Sequence, residues 1–311
     1  MRAYIFPGQG AQTVGMGRAL AAAYPEARAV FDTVDEALGE KLSETVWNGP
    51  EEALTLTANA QPALMATSLA AVAALEAEGV RIGEGAFVAG HSLGEYSALA
   101  AAGAIDVATA ARLLRLRGEA MQKAVPVGVG AMAAVLGLDI GAVRAVAEEA
   151  ASEGEVCEAA NDNDPAQVVV SGHKAAVERA AVIAKEKGAK RALMLPVSAP
   201  FHCALMQPAA DAMAEALAGA EIRSPVVPVV ANVRAEGVSE PDEIRRLLVA
   251  QVTGAVRWRE SVAWMAKRGV TEMVEVGAGK ALSGMVRRIA REVKVSNVAT
   301  PDDVAELAGM T

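Results

Sequence analysis

Apolar positions along this chain follow one pattern up to about residue 125 and another after it. In the first part, short apolar runs alternate with long Ala-rich or amphipathic stretches. Tyr4-Ile5-Phe6 reads as a strand, ended at once by the Pro7-Gly8-Gln9-Gly10 loop that leads towards a helix. A long Ala-rich helix is expected to begin near Pro62, because proline suits a first helical turn. Ala86 to Ala89 follows as a buried strand, then a glycine turn, a helix from Glu95 to about Ala102, and another over Val107 to Lys123. Fully apolar strands alternating with helices predict a parallel sheet covered on both faces.

Near Pro126 the spacing changes. Ala131 to Leu138 reads as a strand, Ile140 to Ala151 as a helix, and Val156 to Ala160 and Gln167 to Ser171 as two more strands. Lys174 to Lys187 is a helix and Arg191 to Val197 a final strand. The order β-α-β-β-α-β is the ferredoxin-like pattern, so a small inserted domain is placed at 126–198. Residues 1–125 and 199–311 then form the larger layer, to which Val226 to Ala231 and Thr271 to Val276 add buried strands.

Composition narrows the function more than the fold. An apolar fraction of 53% is ample for a core, but aromatics are only 3%, so Ala, Val, Leu and Met must fill it. A net charge of −9 argues against nucleic acid as a partner, since that needs a basic face. Two basic clusters stand out, Lys185, Lys187, Lys190 and Arg191, and Arg287, Arg288, Arg291 and Lys294. Each reads as a solvated helix face or as a surface for an acidic partner. Cys157 and Cys203 make no disulfide framework, and no Cys/His spacing resembles a metal site. Met1 to Phe6 is no signal peptide, and the apolar run Ala63 to Leu75 falls below the ~18–20 residues of a membrane span. A cytoplasmic protein with no membrane partner is expected.

The chemistry concentrates at Gly90-His91-Ser92-Leu93-Gly94-Glu95-Tyr96. A G-x-S-x-G run between strand and helix is the context of a nucleophile elbow, in which the glycines permit a turn sharp enough to expose the serine Oγ. The helix that follows aims its free N–H groups at the same spot, suited to an oxyanion. The bland alternative is a glycine-flanked turn with Ser92 as a helix cap. A serine nucleophile needs a base, and there are three histidines. His91 adjoins Ser92, and neighbouring side chains on an extended segment point apart. His173 sits in a Ser-Gly-His turn of the small domain. His202, in Ser198-Ala199-Pro200-Phe201-His202 where the chain re-enters the larger layer, is the best base by elimination, the alternative being a satisfied buried histidine. No acid flanks it, so either a distant carboxylate or a backbone carbonyl orients the imidazole.

In the helix over Val107 to Lys123, Leu113, Leu114, Arg117, Ala120 and Met121 share one face, which puts Arg117 on the buried stripe. An unpaired guanidinium cannot remain there. It snorkels, meets a buried acid, or awaits an anionic ligand, for which its planar fork suits a carboxylate. The glycine-rich stretches at Gly8 to Thr13 and Gly277 to Ala281 lack residues of the dinucleotide and P-loop fingerprints, so no nucleotide cofactor is expected.

Phe6 to Gln12, the GHSLGEY run, Arg117-Gly118 and Pro200-Phe201-His202 together closely resemble the malonyl-CoA:acyl carrier protein transacylases of type II fatty acid synthesis. The likeness runs through essentially the whole chain. It implies an α/β-hydrolase-like core with a ferredoxin-like insertion. It implies that Ser92 attacks the malonyl thioester while His202 accepts its proton, with the N–H groups of Leu93 and Gln9 as oxyanion hole. Arg117 is then the partner of the malonyl carboxylate, and the main-chain carbonyl of Gln251 orients the histidine. Coenzyme A enters only as the substrate thioester and leaves, and the phosphopantetheine thiol of acyl carrier protein takes the malonyl group in a ping-pong cycle. Phe201 stands where relatives carry Ser or Phe, and Cys203 is read as packing. Asp162, between Asn161 and Asn163, has no assigned role. Two other readings share these residues: a serine hydrolase ending on water, and a docking module without catalysis.

Overall fold

The computed structural model describes residues 1–197 and 199–309. Ser198, the last residue of the expected insertion, lies outside the described residues. Among the described residues, ten strands form two sheets: β1 (Arg2–Phe6), β2 (Phe87–Gly90), β3 (Gly130–Leu136), β4 (Cys157–Asp164), β5 (Gln167–His173), β6 (Arg191–Met194), β7 (Val229–Ala231), β8 (Glu236–Val238), β9 (Glu272–Val276) and β10 (Lys294–Val298). The larger sheet has the order β10-β9-β1-β2-β7-β8 and is parallel except for the hairpin partner β8. Its central strands are apolar on both faces because helices cover both, which gives two separate cores, one on each side. The smaller sheet is antiparallel with the order β4-β5-β3-β6, and the helices Ile140–Ala150 and Lys174–Glu186 pack over one face on an Ala/Val core. The fold is thus the expected α/β-hydrolase-like core with a ferredoxin-like small domain.

Differences from the sequence reading have local causes. The helix expected to start near Pro62 starts at Thr57 and runs to Ala77, with the proline inside it. Proline removes one N–H from the ladder. The first turn is held instead by packing: Gly118 approaches so closely that a Cβ there would lie 2.6 Å from Ala58 Cα and 2.7 Å from the Thr57 carbonyl oxygen. This helix is also long and apolar enough to cross a membrane, yet 83% of its apolar window is buried inside the protein. The strand expected from Val226 begins only at Val229, because Pro228 cannot donate to the ladder. In the other direction, β4 continues four residues past Ala160, through Asn161 to Asp164, all buried.

Candidate active site

Register places the site. Phe6 of β1 pairs with Gly90 of β2, so the loop after β1 and the turn after β2 leave the sheet side by side. The His91 N–H donates to the Phe6 carbonyl at 3.1 Å, and Gly8 sits so close that a Cβ would lie 2.7 Å from the His91 carbonyl oxygen. Between β2 and the helix Gly94–Ala101, Ser92 adopts φ +54°, a strained value for a residue with a side chain. The flanking glycines are obligatory there. A Cβ on Gly90 would lie 1.9 Å from the Gly94 carbonyl, and one on Gly94 would lie 2.4 Å from the Phe6 carbonyl oxygen.

His202 Nε2 lies 2.7 Å from Ser92 Oγ, and its Nδ1 lies 2.9 Å from the main-chain oxygen of Gln251 in the helix Pro241–Thr253. A carbonyl oxygen only accepts, so Nδ1 carries the proton and Nε2 is free to accept from the serine hydroxyl. His202 is itself at φ +58°, so both members of the pair are held in unfavourable backbone conformations. Burial, and next the charge of Arg117, push the imidazole down to about 3, so it is neutral and proton-accepting at neutral pH.

Arg117 is 1% exposed, the largest fully buried side chain after Trp258. Its Nη1 donates to Gln61 Oε1 at 2.7 Å, and its Nη2 to Gln251 Oε1 at 2.8 Å and Ser92 Oγ at 3.1 Å. Its buried Nε has no partner among the described residues. Burial lowers its pKa, but a guanidinium stays protonated in a protein. Of the alternatives left open for this residue, snorkelling is ruled out. Tyr96 lies beneath the guanidinium, with its ring centroid 5.8 Å away.

These groups open on a cavity of about 370 Å³, lined also by Gln9, Leu93, Gln61, Met121, Met132 and Phe201. The Ser92 N–H is engaged by Asn232 Oδ1 at 2.8 Å. Among the described residues, no protein acceptor takes the N–H of Gln9 or Leu93, leaving both available at the cavity wall. The described residues contain no group of three or more His, Cys, Asp or Glu side chains placed to hold a metal ion.

Several functional neighbours had little or no signal in the sequence. Gln61 carried none. Asn232 binds the Ser92 N–H and donates its Nδ2 to the Gly90 carbonyl at 2.7 Å. Glu95 was visible only as a letter of the elbow motif; it proves to be a buried acid that Gln251 separates from Arg117. His91 turns away from the serine hydroxyl, as expected, and meets Asn163 Oδ1 at 2.8 Å. His173 accepts the Val156 N–H on Nδ1. Asp162 grips Arg259 through both its oxygens, and Asp164 pairs with Arg288, so the polar end of β4 fastens the small sheet to the core. Arg288 and Lys187, one from each basic cluster, are therefore not free: Lys187 pairs with Glu149.

A serine elbow, a neutral histidine and a buried arginine around one cavity suit acyl-group chemistry, and the acyl transferase domain profile, which matches residues 3–310, gives the class as acyl transferase. The Bacillus subtilis malonyl CoA-acyl carrier protein transacylase is 46% identical over 309 residues, covering 99% of this chain and 96% of its own. The solved acyl-carrier-protein-S-malonyltransferase of Bartonella henselae superposes with a TM-score of 0.97 at 51% identity, covering 99% of this chain and 98% of its own. A malonyl-transacylase solved with its type II PKS acyl-carrier protein superposes at 0.96 and 42% identity, covering 100% and 99%. The chain belongs to the malonyl CoA-acyl carrier protein transacylase family.

Proposed function

We propose that this protein moves the malonyl group from malonyl-CoA to the phosphopantetheine thiol of acyl carrier protein, through a malonyl ester on Ser92, and so supplies the extender for fatty acid synthesis in the cytoplasm. The observation that carries the reading is the buried Arg117 guanidinium, one hydrogen bond from Ser92 Oγ. A cation placed there without a direct carboxylate partner suits an acyl donor that brings its own acid.

Ser92 Oγ attacks the thioester carbonyl carbon while its proton passes to His202 Nε2. The oxyanion is met by the N–H groups of Leu93 and Gln9. As the tetrahedral intermediate collapses, the C–S bond breaks and the coenzyme A sulfur leaves with the proton from His202. The carrier thiol then gives its proton to His202, its sulfur attacks the ester, and Ser92 recovers the proton as the C–O bond breaks. Gln251 O keeps the imidazole in the required tautomer throughout. No redox or metal step is needed to balance the cycle, and coenzyme A takes part only as substrate and product.

Mass spectrometry after mixing with malonyl-CoA tests this. The expected result is one malonyl adduct on Ser92, discharged by holo acyl carrier protein much faster than by water. Rapid release of free malonate without carrier would make the protein a hydrolase, and full transfer by Ser92→Ala would leave only a docking role.

A further inference from the structure

Arg117 is held by oxygens of neutral groups, and among the described residues no carboxylate touches it directly. One of those oxygens belongs to the Gln251 amide, a group that presents two donors if turned over. What faces the other end of that amide decides its orientation. Gln251 Nε2 lies 2.8 Å from Glu95 Oε2, 3.0 Å from the Ser92 main-chain oxygen and 3.4 Å from Asn232 Oδ1. All are acceptors, and a flipped amide would set oxygen against them and N–H groups against the guanidinium. Buried polar groups mismatched on both sides are costly, so the amide stays as it is.

Glu95 makes the shortest of these contacts and is 2% exposed. The same Oε2 also accepts the Asn232 main-chain N–H at 2.9 Å. Asn232 in turn holds the Ser92 N–H and the Gly90 carbonyl. One carboxylate oxygen thus anchors two chains of hydrogen bonds, one ending on Arg117 and one on the strained backbone of Ser92.

We propose that Glu95 is a positioning residue for acyl transfer, setting through Gln251 the oxygen that Arg117 meets and through Asn232 the backbone of the elbow. The inference rests on the roles given above to Ser92 and Arg117. Glu95 does not line the cavity and reaches the reaction only through these partners. The first chain governs preference for an acid-bearing acyl group, and the second governs turnover of any acyl group. Both need an acceptor at this point. Glutamine supplies one with its Oε1, whereas alanine does not.

The test compares wild type, Glu95→Gln, Glu95→Ala and Gln251→Ala with malonyl-CoA, acetyl-CoA and holo acyl carrier protein. Glu95→Ala is expected to lower kcat for both donors and to reduce the malonyl-to-acetyl ratio of kcat/KM by about tenfold, the scale of leaving buried donors without their acceptor. Glu95→Gln should restore both to within about threefold, since its amide oxygen replaces the lost acceptor. Gln251→Ala keeps the main-chain carbonyl on His202 and should lose the same preference; adding Glu95→Ala to it should lower the preference no further. A Glu95→Ala protein with wild-type preference and only a lower Tm would overturn the proposal, as would a Glu95→Gln protein that does not recover. If Glu95→Ala does not fold, undiminished preference in Gln251→Ala overturns it equally. Labelling of Ser92 by a fluorophosphonate, which needs no malonyl group, separates the two readings. A wild-type protein that labels but accepts no malonyl group ends the functional reading. Glu95→Ala labelling at the wild-type rate with preference intact ends this one alone.

Discussion

Arg117 Nη2 stands 3.1 Å from Ser92 Oγ, so a buried guanidinium donates to the hydroxyl of the elbow serine. On the proposed reading, the malonyl carboxylate takes over that guanidinium and releases the hydroxyl to attack. Arg117→Ala should therefore slow malonyl loading of Ser92 by about a hundredfold, the scale of losing a charged, two-pronged contact. Acetyl loading, which offers no carboxylate, should fall far less. Loading rates for the two thioesters followed by intact-protein mass spectrometry check this, and equal losses would make Arg117 a purely structural residue.

On the same reading, Arg117 couples His202 to the acyl donor. Burial comes first in pushing His202 down to about 3, and the Arg117 charge second. A carboxylate bound to Arg117 offsets that charge, so the His202 pKa should rise when the site is filled. The direction matters because a stronger base forms only with an acid-bearing donor in place. NMR titration of the imidazoles in Ser92→Ala, free and with a malonyl thioester bound, reads the shift directly. An unmoved His202 would mean that the two sites are uncoupled.

His202→Ala tests the base itself. Removing a positioned proton acceptor should cost about 10²–10⁴-fold in Ser92 acylation while leaving thioester binding nearly intact. Stopped-flow loading with malonyl-CoA, beside equilibrium binding of the thioester to His202→Ala, separates these terms. Loss of binding alone would assign His202 to the substrate pocket.

Much of this site could be read from the chain because its parts obey local rules. Ser92 announces itself by flanking glycines that the structure shows to be sterically required, and Arg117 by a charge on an apolar helical stripe. The alternation of apolar strands and helices likewise fixes the class of fold. Asn161 to Asp164 were not legible as strand, because a run of four polar residues looks like a loop. The side chains of three of them find distant partners, Asp162 in Arg259, Asn163 in His91 and Asp164 in Arg288, and the backbone of Asn161 bridges to Val256. Gln61, Asn232 and the part played by Glu95 escaped for the same reason: their meaning lies in contacts 56 to 156 residues apart.

The elbow makes a steric prediction. Gly94→Ala places a Cβ 2.4 Å from the carbonyl oxygen of Phe6, the last residue of β1, and 2.8 Å from that of Pro7 just after it, both backbone atoms. The strand and helix must part, at a cost at or above the ~1–3 kcal/mol of ordinary overpacking. We expect a large fall in Tm together with loss of Ser92 labelling. Gly219→Ala is the control: its φ is −88° and a Cβ there meets nothing closer than the Ala216 carbonyl oxygen at 3.8 Å, so Tm should hold or rise slightly. Equal behaviour of the two variants would mean that the elbow relaxes freely.

Glu95 should also leave its mark on stability. Burial raises its carboxyl from 4.5 to about 7, against the opposing pull of the hydrogen bonds from Asn232 and Gln251 and the charge of Arg117. Between those two values the folded protein keeps the proton and the unfolded chain releases it, so this group makes stability fall as pH rises through the window. The cost is absent below about pH 4.5 and complete above about pH 7, where it reaches about 3 kcal/mol. Glu95→Gln keeps the accepted hydrogen bonds without the ionisation. Its Tm relative to wild type should therefore climb between pH 5 and pH 8, by several degrees if the full cost is felt. Thermal melts of both proteins at matched ionic strength across that range decide the matter. A difference that stays constant with pH would show that hydrogen bonds and Arg117 already hold Glu95 ionised at pH 5, and that its carboxylate costs the fold nothing further.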